Sequence, residues 1–214
     1  MIPFPEIGPP IVVVLRAADA ARFVEVSTAL VAGGVRAVEF TFTSAGCVDA
    51  VREAKRVLPA DVAVGCGTVR SRAHVDAAVA AGADFLVSQL YDEGVVRYAA
   101  ESGIPYVPGA LTPTEIACAA GAQVPAVKVS PIGPLGGPAY LRELTGPLPE
   151  IRLFPTGGVK PSQVVEYLEA GAAMVGLSSL LLEDALSPHS DLDALTVRTK
   201  DVVSSVSAVK GISQ

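Results

Sequence analysis

One phrase recurs along the chain: a small residue, a glycine, then a short apolar run. It reads "AGGVRAVEF", "AGADFLV", "SGIPYVPG", "AGAQVPAVKV" and "AGAAMVGL". The glycine suits a helix C-terminus, where the backbone turns through the left-handed region. The apolar run suits a strand covered on both faces. Between these phrases the apolar positions follow a helical period: Phe23, Val26 and Leu30 share one face, and Val164, Val165 and Leu168 share another. "TPTE" at Thr112–Glu115 forms a capping box with Pro113 at the first helical position, which accounts for Glu115 as a cap. Pro161 can open another helix.

The pattern predicts strands over 11–16, 37–43, 62–68, 84–89, 105–110, 126–131, 151–156 and 172–177, each followed by a helix. Their spacing of about 20 to 26 residues leaves room for one helix per strand and little else. Eight such units in 214 residues make a compact (β/α)8 barrel, a single domain over 1–214. The alternative is an open doubly wound sheet; against it, no GxGxxG follows the first strand and the spacing stays even to the end. "LSPHSDLD" is a loop before the last helix, not a linker.

Composition narrows the partners. Half the residues are hydrophobic and the net charge is −6, which gives no support to a nucleic-acid partner. The longest apolar stretch, near Ala172–Leu182, is broken by Gly and Ser and falls short of the roughly 20 residues of a membrane span. "MIPFPEIGPP" lacks the basic start and apolar core of a secretory signal. Cys47, Cys66 and Cys118 form neither a disulfide framework nor a zinc spacing. The expectation is a soluble, cytoplasmic protein that binds neither nucleic acid nor membrane.

Candidate chemistry begins with a lysine in the wrong company. Of the five lysines, Lys55, Lys160, Lys200 and Lys210 lie in polar or helix-like surroundings, whereas Lys128 interrupts the apolar "AVKVS". Alternation puts Ala126, Lys128 and Ser130 on one side and Val127 and Val129 on the other. The valines suit the helix-facing side, so Lys128 enters the lumen near the C-terminal ends of the strands, where barrel active sites lie. In "AVEFTFT" the same logic sends Glu39, Thr41 and Thr43 inward and the aromatics outward, and Arg16 ends the first strand. A purely structural buried ion pair is the competing account, but desolvating two charges makes such pairs poor stabilisers. Burial favours a neutral, nucleophilic amine, while a neighbouring carboxylate favours the ammonium, so distance decides between them. A neutral amine forms a Schiff base with a ketone, and a nearby carboxylate then moves the protons.

"FPTGGVKPSQ" places Gly157 and Gly158 after the seventh strand, and "VGLSS" places Gly176 and Ser178 after the eighth. Backbone N–H groups in such turns cradle phosphate, and these two loops are the usual phosphate site of the fold. "GCGTV" puts Gly65, Gly67 and Thr68 at the end of the third strand, either for close packing at the rim or to aim the Thr68 hydroxyl at a substrate. Cys66 reads as a small packed residue, His74 as part of the first turn of a helix and His189 as a loop residue, with neither histidine near the site.

With these residues in place the chain resembles the 2-keto-3-deoxy-6-phosphogluconate (KDPG) and 4-hydroxy-2-oxoglutarate (KHG) aldolase family. The resemblance runs through "VLRA", "LVAGGVRAVEFTFT", "VGCGTV", "AGADFLVS", "GIPYVPGALTPTE", "AVKVSP", "FPTGGV" and "VGLSS", nearly the whole chain in order. It implies a (β/α)8 barrel, a homotrimer, and class I aldol chemistry on a keto acid, with pyruvate as product and neither metal nor cofactor. By position, Lys128 matches the Schiff-base lysine, Glu39 the general acid/base and Thr68 a substrate contact. Gly157, Gly158 and Ser178 match the phosphate site, with Thr156 in the same turn. Many members carry an arginine where Thr43 stands, so the carboxylate falls to Arg16, whose planar fork suits it. Two departures stand out. "SQL" replaces the usual "SPG" or "SPH" after strand four, and "VSPIG" puts Ser130 where the family has an aromatic. They leave room for a galactose-series or non-phosphorylated keto acid, or for a barrel that only binds a phosphate ligand.

Overall fold

The computed structural model describes residues 1–208, so Lys210 and the end of the domain expected over 1–214 lie outside the described residues. Among the described residues the apolar runs form nine short strands whose residues are all buried. These are β1 (Ile11–Leu15), β2 (Ala37–Thr41), β3 (Ala63–Gly67), β4 (Phe85–Val87), β5 (Tyr106–Val107), β6 (Gly109–Ala110), β7 (Val127–Val129), β8 (Leu153–Pro155) and β9 (Val175–Leu177). They are shorter than the sequence predicts, because their ends leave the ladder for loops. Every pairing is parallel, in one ladder ordered β5-β4-β3-β2-β1-β9 and another ordered β6-β7-β8.

The ladders share both their edges. The fifth expected strand, 105–110, divides into β5 and β6 at Pro108, which has no N–H to give a neighbour. Before the proline the chain pairs with β4 (Leu86↔Tyr106); after it, with β7 (Gly109↔Lys128). Pro108 still contributes its carbonyl, which accepts from Lys128 N at 2.8 Å. At the opposite edge Leu153 bridges Ala172, and Ala173 N donates to the Leu153 carbonyl at 2.9 Å. Eight strand positions therefore close into a (β/α)8 ring, and the open sheet is set aside.

The helices follow in order: α1 (Phe23–Ala32), α2 (Cys47–Val57), α3 (Arg72–Ala81), α4 (Glu93–Glu101), α5 (Pro113–Gly121), α6 (Pro138–Thr145), α7 (Val164–Glu169), α8 (Ser179–Leu182) and α9 (Leu192–Ser207). Phe23, Val26 and Leu30 of α1 are all buried, as the periodicity predicts. The Glu115 carboxylate accepts from Thr112 N at 2.8 Å and from Leu111 N at 3.0 Å, closing the capping box on α5. Pro161 opens a short 3-10 turn that runs into α7. Four of the recurrent phrases turn through a left-handed glycine, at Gly34, Gly82, Gly103 and Gly171. The fifth does not: Gly121 stays within α5, and the left-handed residue after it is Gln123, with φ 55°.

Strand alternation divides the interior in two. Outward residues such as Val13, Leu15, Val38, Phe40, Val64, Val127, Val129 and Leu177 pack under the helices. Inward residues form a second cluster, made of Val12, Ala37, Ala63, Phe85, Val87, Val107, Ala126, Phe154 and Met174. The N-terminal segment covers this lumen core with Phe4 and Ile7, and the Phe4 and Phe85 rings lie 4.7 Å apart. The barrel thus has an apolar floor.

Candidate active site

Lys128 shares its face of β7 with Ala126 of the lumen core, while Val127 and Val129 belong to the outer cluster. Glu39 shares its face of β2 with Ala37, while Val38 and Phe40 face the helices. Both head groups therefore enter the barrel. Lys128 Nζ lies 3.5 Å from Glu39 Oε1, with the side chains only 6% and 1% exposed. Neither Glu39 oxygen has a hydrogen-bond partner among the described residues. A pair retained for stability needs its remaining lone pairs satisfied, since each buried unsatisfied group costs about 1–3 kcal/mol. A carboxylate with lone pairs free beside a buried amine is instead what proton transfer at a reacting carbon requires.

The glycines of "GCGTV" explain how Glu39 fits. A Cβ on Gly67 would overlap the Glu39 carboxylate, and one on Gly65 would overlap the Phe85 ring. Cys66, between them, is fully buried in the outer cluster. A hydrogen bond with Cys47, reinforced by burial, pushes its thiol well above the usual range, which leaves it inert as a nucleophile. Thr68 follows at φ 61°, a conformation that a β-branched residue adopts at a cost of roughly 1–3 kcal/mol. Neighbouring contacts hold the chain there. Val69 N donates to the Val87 carbonyl at 3.1 Å, and the Tyr106 hydroxyl donates to the Val69 carbonyl at 2.9 Å.

At the top of β1 and β2 hydroxyls tie the loops together. Thr43 donates to Thr41 Oγ1 at 3.1 Å, Thr41 donates to the Leu15 carbonyl at 3.3 Å, and Ser44 Oγ accepts from Ala17 N at 3.1 Å. Arg16 projects from this corner and is exposed, as is Thr43. On the far side Gly157 and Gly158 take consecutive left-handed conformations, φ 81° and 78°. Gly133 N donates to the Gly157 carbonyl at 2.9 Å and pins the turn. Thr156 is buried below it, in space left because Gly176 has no side chain. Ser178 Oγ donates to the Val14 carbonyl at 2.8 Å, which ties the loop after β9 to β1.

The structure thus brings Lys128 and Glu39 together and arranges the other expected residues around the C-terminal rim, except Gly176, which lies within β9 rather than after it and faces Thr156. Three features escape sequence reasoning. Thr41 and Ser44 join the hydroxyl network, which needs the fold to become visible. His74, read as remote, stacks on Phe42 at 4.4 Å, and its Nδ1 accepts from Arg70 N at 3.3 Å, so it braces the loop that carries Thr68. Gln89 and Ser130, noted only as departures, meet: Gln89 Nε2 donates to Ser130 Oγ at 3.1 Å.

Comparison with known proteins agrees with this geometry. The model of the KDPG and KHG aldolase family matches residues 8–197. A KHG/KDPG aldolase of Escherichia coli K12 is 32% identical over 195 residues, covering 91% of each chain. A 2-dehydro-3-deoxy-phosphogluconate aldolase of Dickeya dadantii is 34% identical over 186 residues, covering 86% of each. The crystal structure of a KDPG aldolase from Legionella pneumophila, with pyruvate captured as a covalent carbinolamine, superposes with a TM-score of 0.81 at 27% identity, over 90% of this chain and 93% of that one. The chain belongs to the KDPG and KHG aldolase family.

Proposed function

We propose that the protein is a class I aldolase that cleaves a 2-keto-3-deoxy-6-phospho sugar acid, or 4-hydroxy-2-oxoglutarate, to pyruvate and an aldehyde. The observation that carries this reading is the buried Lys128–Glu39 pair, 3.5 Å apart, with the lone pairs of Glu39 free. In this reading Lys128 transfers a proton to Glu39 and its amine attacks C2 of the keto acid. Glu39 returns that proton to the departing hydroxyl, so the carbinolamine loses water and the carboxylate is restored, and the protonated imine withdraws electrons from C3. Glu39, directly or through one water, takes the proton of the C4 hydroxyl. The C3–C4 bond breaks, its electron pair enters the enamine, and the aldehyde leaves. Protonation at C3 and hydrolysis of the imine return pyruvate and the free amine.

The remaining assignments follow the rim. Arg16, with Thr43 beside it, holds the carboxylate, and Thr68 and Thr156 contact the substrate. Gly157, Gly158 and Ser178 form the phosphate end, with Gly176 beneath it making room for Thr156; the consecutive left-handed glycines let an anion approach the backbone closely. The resemblance supports one barrel domain over 1–214 and a homotrimer, which light scattering on the purified protein tests. Three free cysteines agree with a reducing cytoplasm. A barrel that only binds a phosphate ligand has no use for an amine beside a carboxylate deep in its lumen.

The test is reductive trapping. With pyruvate and borohydride, mass spectrometry is expected to find one adduct, on Lys128. An adduct elsewhere, or none, overturns the reading.

A further inference from the structure

The polar pair at the rim goes beyond this chemistry. Ser130 follows Lys128 by two residues, just past the end of β7, where alternation keeps it on the lysine's side and nearer the rim. A Cβ on Gly157 would lie 3.1 Å from Ser130 Oγ, so this hydroxyl stands between the lysine and the Gly157–Gly158 turn. Gln89 reaches it from the loop after β4, across β6, with its amide 3.1 Å from Ser130 Oγ. The crossing depends on Gly109, the ladder partner of Lys128, because a Cβ there would overlap the Gln89 backbone. Three residues on three neighbouring strand positions thus cooperate to hold one amide against Ser130 at the rim.

The pair is polar but uncharged, and it keeps hydrogen-bonding capacity. Ser130 Oγ accepts from Gln89 and retains its own proton to donate; Gln89 retains Oε1 and a second N–H. Gln89 is exposed and Ser130 half-buried, so both are open to a ligand. A substrate chain that runs from the imine carbon to the phosphate turn passes its middle carbons beside these groups. Resting on the aldolase reading, we propose that Gln89 and Ser130 form a specificity element that recognises the hydroxyl next to the aldehyde carbon. It makes the protein selective for α-hydroxyaldehydes over deoxy analogues of the same length. Discrimination by a hydrogen-bonding site is steep because an analogue without the hydroxyl leaves polar groups unpaired.

The experiment runs the reaction toward addition, with pyruvate and either D-glyceraldehyde 3-phosphate or 3-oxopropyl phosphate, which lacks the α-hydroxyl. The readout is the ratio of kcat/KM for the two aldehydes, in the unmodified protein and in Ser130→Ala, Gln89→Leu and Ser130→Thr. The unmodified protein is expected to prefer the hydroxylated aldehyde. Ser130→Ala and Gln89→Leu each lower the ratio by about 10-fold, one hydrogen bond's worth, and Ser130→Thr, which keeps the hydroxyl, restores most of it. A ratio near one in the unmodified protein, or a ratio that neither variant moves, overturns the assignment. Pyruvate trapping on the unmodified protein separates the two levels. A normal trap with an unmoved ratio removes only the specificity element, whereas a failed trap removes the aldolase reading beneath it.

Discussion

At the scale of single residues, the ion pair of Lys128 and Glu39 is a liability that function explains. Removing the amine alone strands a carboxylate in a lumen where it is 1% exposed, so Lys128→Met is expected to destabilise the protein by about 3–5 kcal/mol. Replacing both, as Lys128→Met with Glu39→Leu, is expected to bring stability back to the starting value or above it, while aldol turnover falls by about 10^4-fold or more. Urea denaturation and a coupled pyruvate assay measure the two halves. A double variant as unstable as the single one counts against the view that the pair is kept for chemistry. Lys128 was legible in the sequence because one charge in an apolar, alternating run has few structural explanations. Gln89 and Ser130 were legible only as oddities, since nothing in a linear sequence says that side chains just past β4 and β7 touch across a glycine.

At the scale of elements, the loop between β3 and α3 is the strained part of the rim. His74, in the first turn of α3, holds it by accepting from Arg70 N and stacking on Phe42. Burial first, and then the charge of Arg70, hold this imidazole below its ordinary value of 6.5, against an opposing hydrogen bond to the Thr68 backbone. The fold therefore favours the neutral ring. Its contribution is complete above about pH 6.5 and fades as the pH falls toward the lowered folded value. Acidification from about pH 7.5 to about pH 5.5 is thus expected to lower Tm more in the unmodified protein than in His74→Phe, which keeps the stack but cannot titrate. Equal losses in both remove His74 from this role. The sequence identified the helix and its first turn correctly. It could not place the ring, because the partner Phe42 arrives from the loop after β2 and because Thr68 turns the chain through a left-handed conformation that no glycine announces.

At the scale of the whole molecule, strand count and order followed from the even spacing of glycine phrases, and inward and outward faces followed from alternation. What the spacing could not give was where the ring is weakest in hydrogen bonds: the break at Pro108 and the one bridge between Leu153 and Ala172. Nor could it give the role of the first ten residues. "MIPFPEIGPP" reads as a proline-rich lead-in, yet Phe4 and Ile7 pack against the lumen core.

With that stopper packed against its apolar floor, the lysine is approached from the C-terminal rim. Whatever is fastened to the lysine at the bottom must wait for whatever lies above it to leave. The aldehyde fragment therefore departs first and pyruvate last, and the order is imposed by architecture as much as by the covalent bond. In steady-state cleavage, added pyruvate is expected to compete with the keto acid, while added aldehyde inhibits in a mixed pattern. Competitive inhibition by both would mean a second exit.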